Sequence, residues 1–172
     1  MGEECGCGQG GERGSGFWVY LLKNNMKGVF ALQLLSCLMM TGVIWLVQLV
    51  HYPLFAGVGA EGFVEYERLH TLRIGWLVMP LMLLELGTAI WLLQWQPVGI
   101  PPSLLWVALA LLGVVWLNTM LQAVPLHGKL SQGFDLESIQ QLVRINWIRT
   151  VAWTLRSGIL VWMVWRLMGE RT

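Results

Sequence analysis

Gly133–Trp162 reads GFDLESIQQLVRINWIRTVAWTLRSGILVW, and the chain has already used this pattern at Gly62–Trp91, GFVEYERLHTLRIGWLVMPLMLLELGTAIW. An offset of 71 (133 − 62) brings together Gly62/Gly133, Phe63/Phe134, Arg73/Arg144, Ile74/Ile145, Trp76/Trp147, Leu84/Leu155, Gly87/Gly158 and Trp91/Trp162. Leu–Leu coincidences mean little in an apolar chain, but paired Trp, Arg and Gly-Phe positions at one offset do. The same alignment sets Glu85 opposite Arg156, the two charges deepest in otherwise apolar segments. The pattern predicts two copies of one helical hairpin. Each copy holds an even number of spans, so the two should be parallel, related by a pseudo-two-fold axis along the membrane normal.

Outside these stretches the chain is equally unlike a soluble domain. Of its 172 residues 56% are apolar and 12% charged, with a mean hydropathy of +0.60, where soluble domains carry about 25% charge. A net charge of +1 and the lack of a basic patch interleaved with aromatics argue against a nucleic-acid partner. Of eleven Trp, several (Trp76, Trp95, Trp106, Trp147, Trp165) fall near the ends of apolar runs, as in the aromatic belts of membrane proteins. Cys5 and Cys7 lie in a Gly-rich stretch and Cys37 in an apolar run, which is no disulfide framework. Residues 1–16 hold too few apolar side chains to offset ordering and are expected to be a disordered tail.

The expected fold is an all-α membrane protein: a four-helix transmembrane bundle of two repeated hairpins, with amphipathic helical extensions on one side. Hairpin one covers residues 29–95 and hairpin two residues 104–168. Val29–Val50 is an uncharged run long enough to cross a bilayer. Phe63 to Arg73 forms an amphipathic lead, with Tyr66, His70 and Arg73 on one stripe, into the second span, Ile74–Trp95. Gln94–Ser103 is the Pro-rich boundary between the halves, and Leu104–Val124 is the third span. Pro53 and Pro125 should bend or close spans one and three. Asp135 suits the N-cap of the long last helix. Four spans place both termini on one face. Lys and Arg number 5 on that side and 6 on the connector side, so charge barely sets orientation. The termini face the cytoplasm if the connector arginines serve a site.

Polar side chains within the spans are concentrated, not scattered. Gln48, His51, Asn118, Gln122, Asn146 and Arg149 all belong to the connector-side halves of their helices, above a floor of Glu85 and Arg156. Each is costly against lipid, so they should face one another. The expected result is a polar funnel ringed by His70, Arg73 and His127, with Gln33 and Gln94 near the opposite boundary, within reach of water. Glu85, His51, His70, Asn146 and Arg149 are the candidates for acid–base work or charge stabilisation. Gln48, Tyr66, Arg73, Asn118, Gln122, His127 and Arg156 are the candidates for holding a ligand. His51, His70 and His127 share one side of the membrane, as a single metal or a haem would require. Glu67-x-x-His70 has the spacing of di-iron bundles, but the repeat offers Ser138 and Gln141 at the matching places, which leaves a di-iron site without its second motif.

The second half, from Asn118-Thr119 through Pro125-Leu-His127-Gly-Lys-Leu130 to Asn146-Trp147-Ile-Arg149, resembles the anthrone-oxygenase-like family of small four-span membrane proteins. Those proteins show a Thr near the end of span three, a Pro two residues before a polar residue, and a Trp and Arg at the start of span four. Pro53 after a polar span end fits as well, whereas His127 stands where Asn is usual. The resemblance implies a cofactor-light oxidoreductase acting on hydrophobic ring compounds. Two readings stay open: a membrane enzyme whose lipophilic substrate enters from the bilayer, and a non-catalytic membrane subunit whose funnel holds a pigment, haem or lipid headgroup. Either leaves room for a second copy or a membrane-complex partner.

Overall fold

In lipid, every backbone N–H and C=O must be satisfied within its own segment, so long uncharged apolar runs become helices. A computed structural model describes residues 12–169, and side-chain positions from residue 25 onward. The order is α1 (Glu12–Leu46), a π turn (Val47–His51), α2 (Tyr52–Phe55), α3 (Phe63–Gln94), α4 (Pro102–Asn118), a second π turn (Thr119–Ala123), α5 (Val124–Leu130) and α6 (Leu136–Gly169). Among the described residues there is no strand. Three of the resulting rods, Asn25–Phe55, Phe63–Gln94 and Pro102–Leu130, are long and apolar enough to cross a membrane. Their outer faces carry exposed apolar side chains such as Leu35, Leu46, Trp76, Trp106 and Leu121. This is the surface of a protein solvated by lipid rather than by water. α6 is 34 residues long but carries Arg144, Arg149, Arg156 and Arg166 and is more polar than the other three.

The rods close a ring. α1 packs against α3 and α6, and α4 packs against the same two helices, so α1–α4 and α3–α6 are diagonals whose backbones stay apart. The segments 56–62 and 131–135 meet at one end, where the Phe63 and Phe134 rings stand edge to face 5.3 Å apart. With Phe55, Leu130, Ile139 and Leu142 they form a small apolar core. At the other end Ile100 joins the main core, with Phe30, Leu92 and Leu105.

Local chemistry sets the helix starts. Asp135 caps α6: its carboxylate accepts from the Glu137 N–H at 3.3 Å and from Ser138 Oγ at 2.5 Å, and it pairs with Lys129 at 2.6 Å. The hydrogen bond from Lys129, and then that from Ser138, hold the Asp135 pKa down at about 2. α3 starts from Gly62, whose φ of +83° is the left-handed conformation that favours glycine. Gly133, its match at the repeat offset, does not share a positive φ.

Four expectations need correction. Pro53 and Pro125 do not close their spans; the rods run on to Phe55 and Leu130. A proline ring clashes with the carbonyl four residues back, here Leu49 and Leu121, and both lie within the widened π turns. There the bond spans five residues, from the Tyr52 N–H to the Val47 carbonyl and from the Val124 N–H to the Thr119 carbonyl. Gln33 is not near a boundary but 1% exposed in the core, accepting from Thr88 Oγ1 at 2.6 Å. Helix α1 begins at Glu12, inside the expected tail. Residues 1–11, Cys5 and Cys7 included, lie outside the described residues.

Candidate functional site

The first π turn and the residue after it supply Gln48, His51 and Tyr52; α5 supplies His127; α3 supplies Glu67 and His70; α6 supplies Asn146 and Arg149. Six of these side chains, all but His51 and His70, form one hydrogen-bonded chain. Glu67 Oε1 lies 2.5 Å from His127 Nδ1, and His127 Nε2 lies 3.0 Å from the Tyr52 hydroxyl. Arg149 Nη2 donates to that hydroxyl oxygen at 3.3 Å and to Asn146 Oδ1 at 2.6 Å. Asn146 Nδ2 then donates to Gln48 Oε1 at 2.9 Å, and Gln48 Nε2 to the Val143 carbonyl at 3.3 Å. Arg149 can only donate. The hydroxyl proton of Tyr52 is therefore free for His127 Nε2, and the His127 Nδ1–H for Glu67. That tautomer is assigned from the network.

Beside this chain His51 Nε2 meets His70 Nδ1 at 2.7 Å. The His70 ring lies 4.6 Å from that of His51 and 5.4 Å from that of His127. All three rings gather around the fully buried Phe55. Tyr66 packs its ring on Phe55 at 5.4 Å. Four of the six ring nitrogens address one another, Tyr52 and Glu67, while His70 Nε2 is buried without a hydrogen-bond partner. Among the described residues no group of three or more His, Cys, Asp or Glu is arranged to hold a metal ion.

Next to the network is a cavity of about 400 Å³. Tyr52, His127 and Arg149 form its polar end, with Thr71, Thr119 and Ser131 nearby; Met40, Val43, Ile44, Val78, Met82 and Trp153 line the rest. At the seam between α3 and α5 the wall residues Met79 and Val124 are 41% and 53% exposed, so the cavity opens sideways there. His70 and Arg73, expected at the mouth, are not among the residues that line the cavity. At 100° per residue Arg73 points about 120° away from the face shared by Glu67 and Glu85, and it is exposed.

The deep pair is present. Arg156 Nη1 donates to Glu85 Oε1 at 2.8 Å, Trp153 Nε1 to Glu85 Oε2 at 3.0 Å, and Arg156 Nε to the Ala108 carbonyl at 3.1 Å, all buried. It bridges the α3–α6 diagonal. Glu85 and Arg156 do not line the cavity; Trp153 does. Asn118 and Gln122 bond to each other at 3.1 Å and not to the network. Of the sequence candidates, then, Gln48, His127, Asn146 and Arg149 share one network, His51 and His70 abut it, and Glu85, Arg156, Arg73, Asn118 and Gln122 stand apart.

Sequence reasoning passed over Glu67, Tyr52 and Trp153 as site residues. Helical geometry held a signal for the first, because Glu67 and Glu85 are 18 residues apart and so share a helix face. Trp153 lies four residues from Arg149, on the same stripe. Tyr52 carried no signal beyond standing next to Pro53. No protein-family model matches the chain, and no curated protein or solved structure matches it either.

Proposed function

We propose that the chain is a four-span membrane enzyme, an oxidoreductase that takes a lipophilic ring compound from the bilayer into the cavity and removes a proton from it. α6 counts as the fourth span in this reading. Its arginines 149 and 156 are buried, while Ile148, Val151, Leu155, Val161 and Trp165 face outward. Whole-helix composition hides a lipid-facing surface when the charges point inward. The two-hairpin reading draws support from Phe63/Phe134 and Glu85/Arg156, partners at the repeat offset that touch each other. Residues in contact with their own symmetry mates lie beside the axis. The termini then share one face, which we assign to the cytoplasm.

The observation that carries the function is the Glu67–His127–Tyr52 relay at the polar end of an otherwise apolar cavity open to lipid. Glu67 orients His127 and supports its positive charge, His127 takes the Tyr52 proton, and Arg149 stabilises the phenolate. Tyr52 can then draw a proton from an acidic C–H or O–H of the bound ring. For an activated ring methylene the balanced oxidation is CH2 + O2 → C=O + H2O, with the carbanion as electron donor and dioxygen as oxidant. Cavities of about 300–1,000 Å³ suit such ligands.

The purified chain in detergent should exchange the methylene hydrogens of an enolisable tricyclic ketone with deuterium oxide and consume dioxygen with it. Tyr52→Phe should slow exchange by about 100-fold or more, the usual worth of a positioned acid–base group. Wild-type exchange rates in both Tyr52→Phe and His127→Gln would refute the reading.

A further inference from the structure

Arg149 is 7% exposed, lies on the cavity wall, and has no carboxylate partner among the described residues. Its Nη2 is held by the neutral oxygens of Tyr52 and Asn146. Its Nε is buried without any hydrogen-bond partner. The nearest carboxylate in the network, Glu67, is two side chains away and gives Oε1 to His127. No Asp or Glu lines the cavity. Arg156, the other buried arginine among the described residues, shows how the fold pairs such a charge. It pairs that charge with Glu85 and gives its Nε to a carbonyl. An unpaired buried charge is strongly unfavourable, and a guanidinium presents a planar fork suited to a carboxylate, phenolate or phosphate.

We infer that the cavity takes a lipophilic anion, its charged group on Arg149 and its apolar body along Ile44, Val78, Met82 and Trp153. This rests on the cavity being the ligand site, as proposed above, and adds the ligand's charge. The anion comes either from a free small molecule or from the headgroup of an acidic lipid, and the seam between α3 and α5 admits both. A charge-assisted bond in a water-poor site makes the ionised ligand the tighter one.

The test uses the full-length protein in phosphatidylcholine nanodiscs with two probes of nearly equal shape, 2-naphthoate and 2-naphthamide, binding being read from naphthalene fluorescence. The carboxylate should bind about tenfold or more tighter than the amide, in line with a hydrogen bond to a charged group. Arg149→Lys should keep that preference, and Arg149→Gln should remove it, so that the two probes bind with equal affinity. Equal or tighter binding of the amide to the wild-type protein overturns the anion assignment and leaves the cavity reading standing. If neither probe binds, both fall. The wild-type comparison decides even where a variant does not fold. Repeating the titration with phosphatidylglycerol in the discs identifies the source. Displacement of naphthoate supports an anionic headgroup in the site, and unchanged affinity supports a free lipophilic anion.

Discussion

Glu85 and Arg156 bridge the α3–α6 diagonal, and their energetics can be worked out from the contacts. Glu85→Gln leaves Arg156 charged, holding the Ala108 carbonyl and an amide oxygen. Arg156→Gln leaves Glu85 charged, with the Trp153 N–H as its remaining donor. Breaking a buried pair by removing one partner costs about 3–5 kcal/mol. The amides preserve some of the hydrogen bonds, so each single change should sit at the lower end, about 3 kcal/mol. In the double variant no charge is stranded, and Trp153 and Ala108 can still find partners. Its loss should not exceed about 3 kcal/mol, which makes the interaction energy at least about 3 kcal/mol. At about 2–4 °C per kcal/mol for a chain of this size, each single variant should melt about 6–12 °C lower, and the double no lower than the singles. Thermal unfolding of the four proteins in one detergent measures this. Strictly additive losses, with the double variant lower by the sum of the singles, would refute the paired-charge argument.

Cysteines placed at Ala60 and Gln132, in a chain cleared of its native thiols, should react from the same side of the membrane; labelling from opposite sides would sink the four-span topology. Asp135 has a depressed pKa in the folded chain, so its contribution is present above the ordinary carboxyl value near 3.8 and is lost as pH falls towards about 2. Acid unfolding curves of the wild type should show that loss and those of Asp135→Asn should lack it, with a matching acid limb in both counting against the cap. Phe55→Ala removes a fully buried ring that touches His51, Tyr52, Tyr66 and His70; it should cost about 3–5 kcal/mol in a denaturation assay, and a loss below 1 kcal/mol would contradict the packing.

The helical rods were legible because lipid permits few alternatives: an uncharged stretch such as Val29–Val50 has to be a helix. Glu85 and Arg156 were legible as partners because two charges at matching depth in apolar segments need each other. The helix ends were not. Pro53 and Pro125 carry the same stop signal whether a rod ends or shifts to a wider turn, and the difference depends on what packs against the neighbouring carbonyls. The site was half legible for a similar reason. Residue type and depth singled out Gln48, His127, Asn146 and Arg149, yet depth alone could not separate them from Asn118 and Gln122, which differ in the direction they face. Glu67 was visible only as one half of a metal motif. Its place as an orienting carboxylate depends on His127, 60 residues away. Gln33 misled because an amide near the end of an apolar run looks solvated until Thr88 is found opposite it.

Each π turn is equivalent to an α-helix carrying one inserted residue. The extra residue is absorbed within the turn, so side chains beyond it keep the direction they would have without it. Loss of the single codon for Leu49 would let the first rod wind as plain α-helix with Tyr52 facing as before, and loss of Leu121 would do the same for His127. Winding either turn as plain α-helix with all its residues kept would instead swing Tyr52 or His127 by about 100° relative to the helix below it. That rewinding would leave composition and hydropathy untouched, and would pull apart a relay assembled from three rods. The packing that holds the two π turns open therefore sets the direction of a phenol and an imidazole. A working pocket could thus be gained or lost by a bundle whose lipid-facing exterior is inherited unchanged.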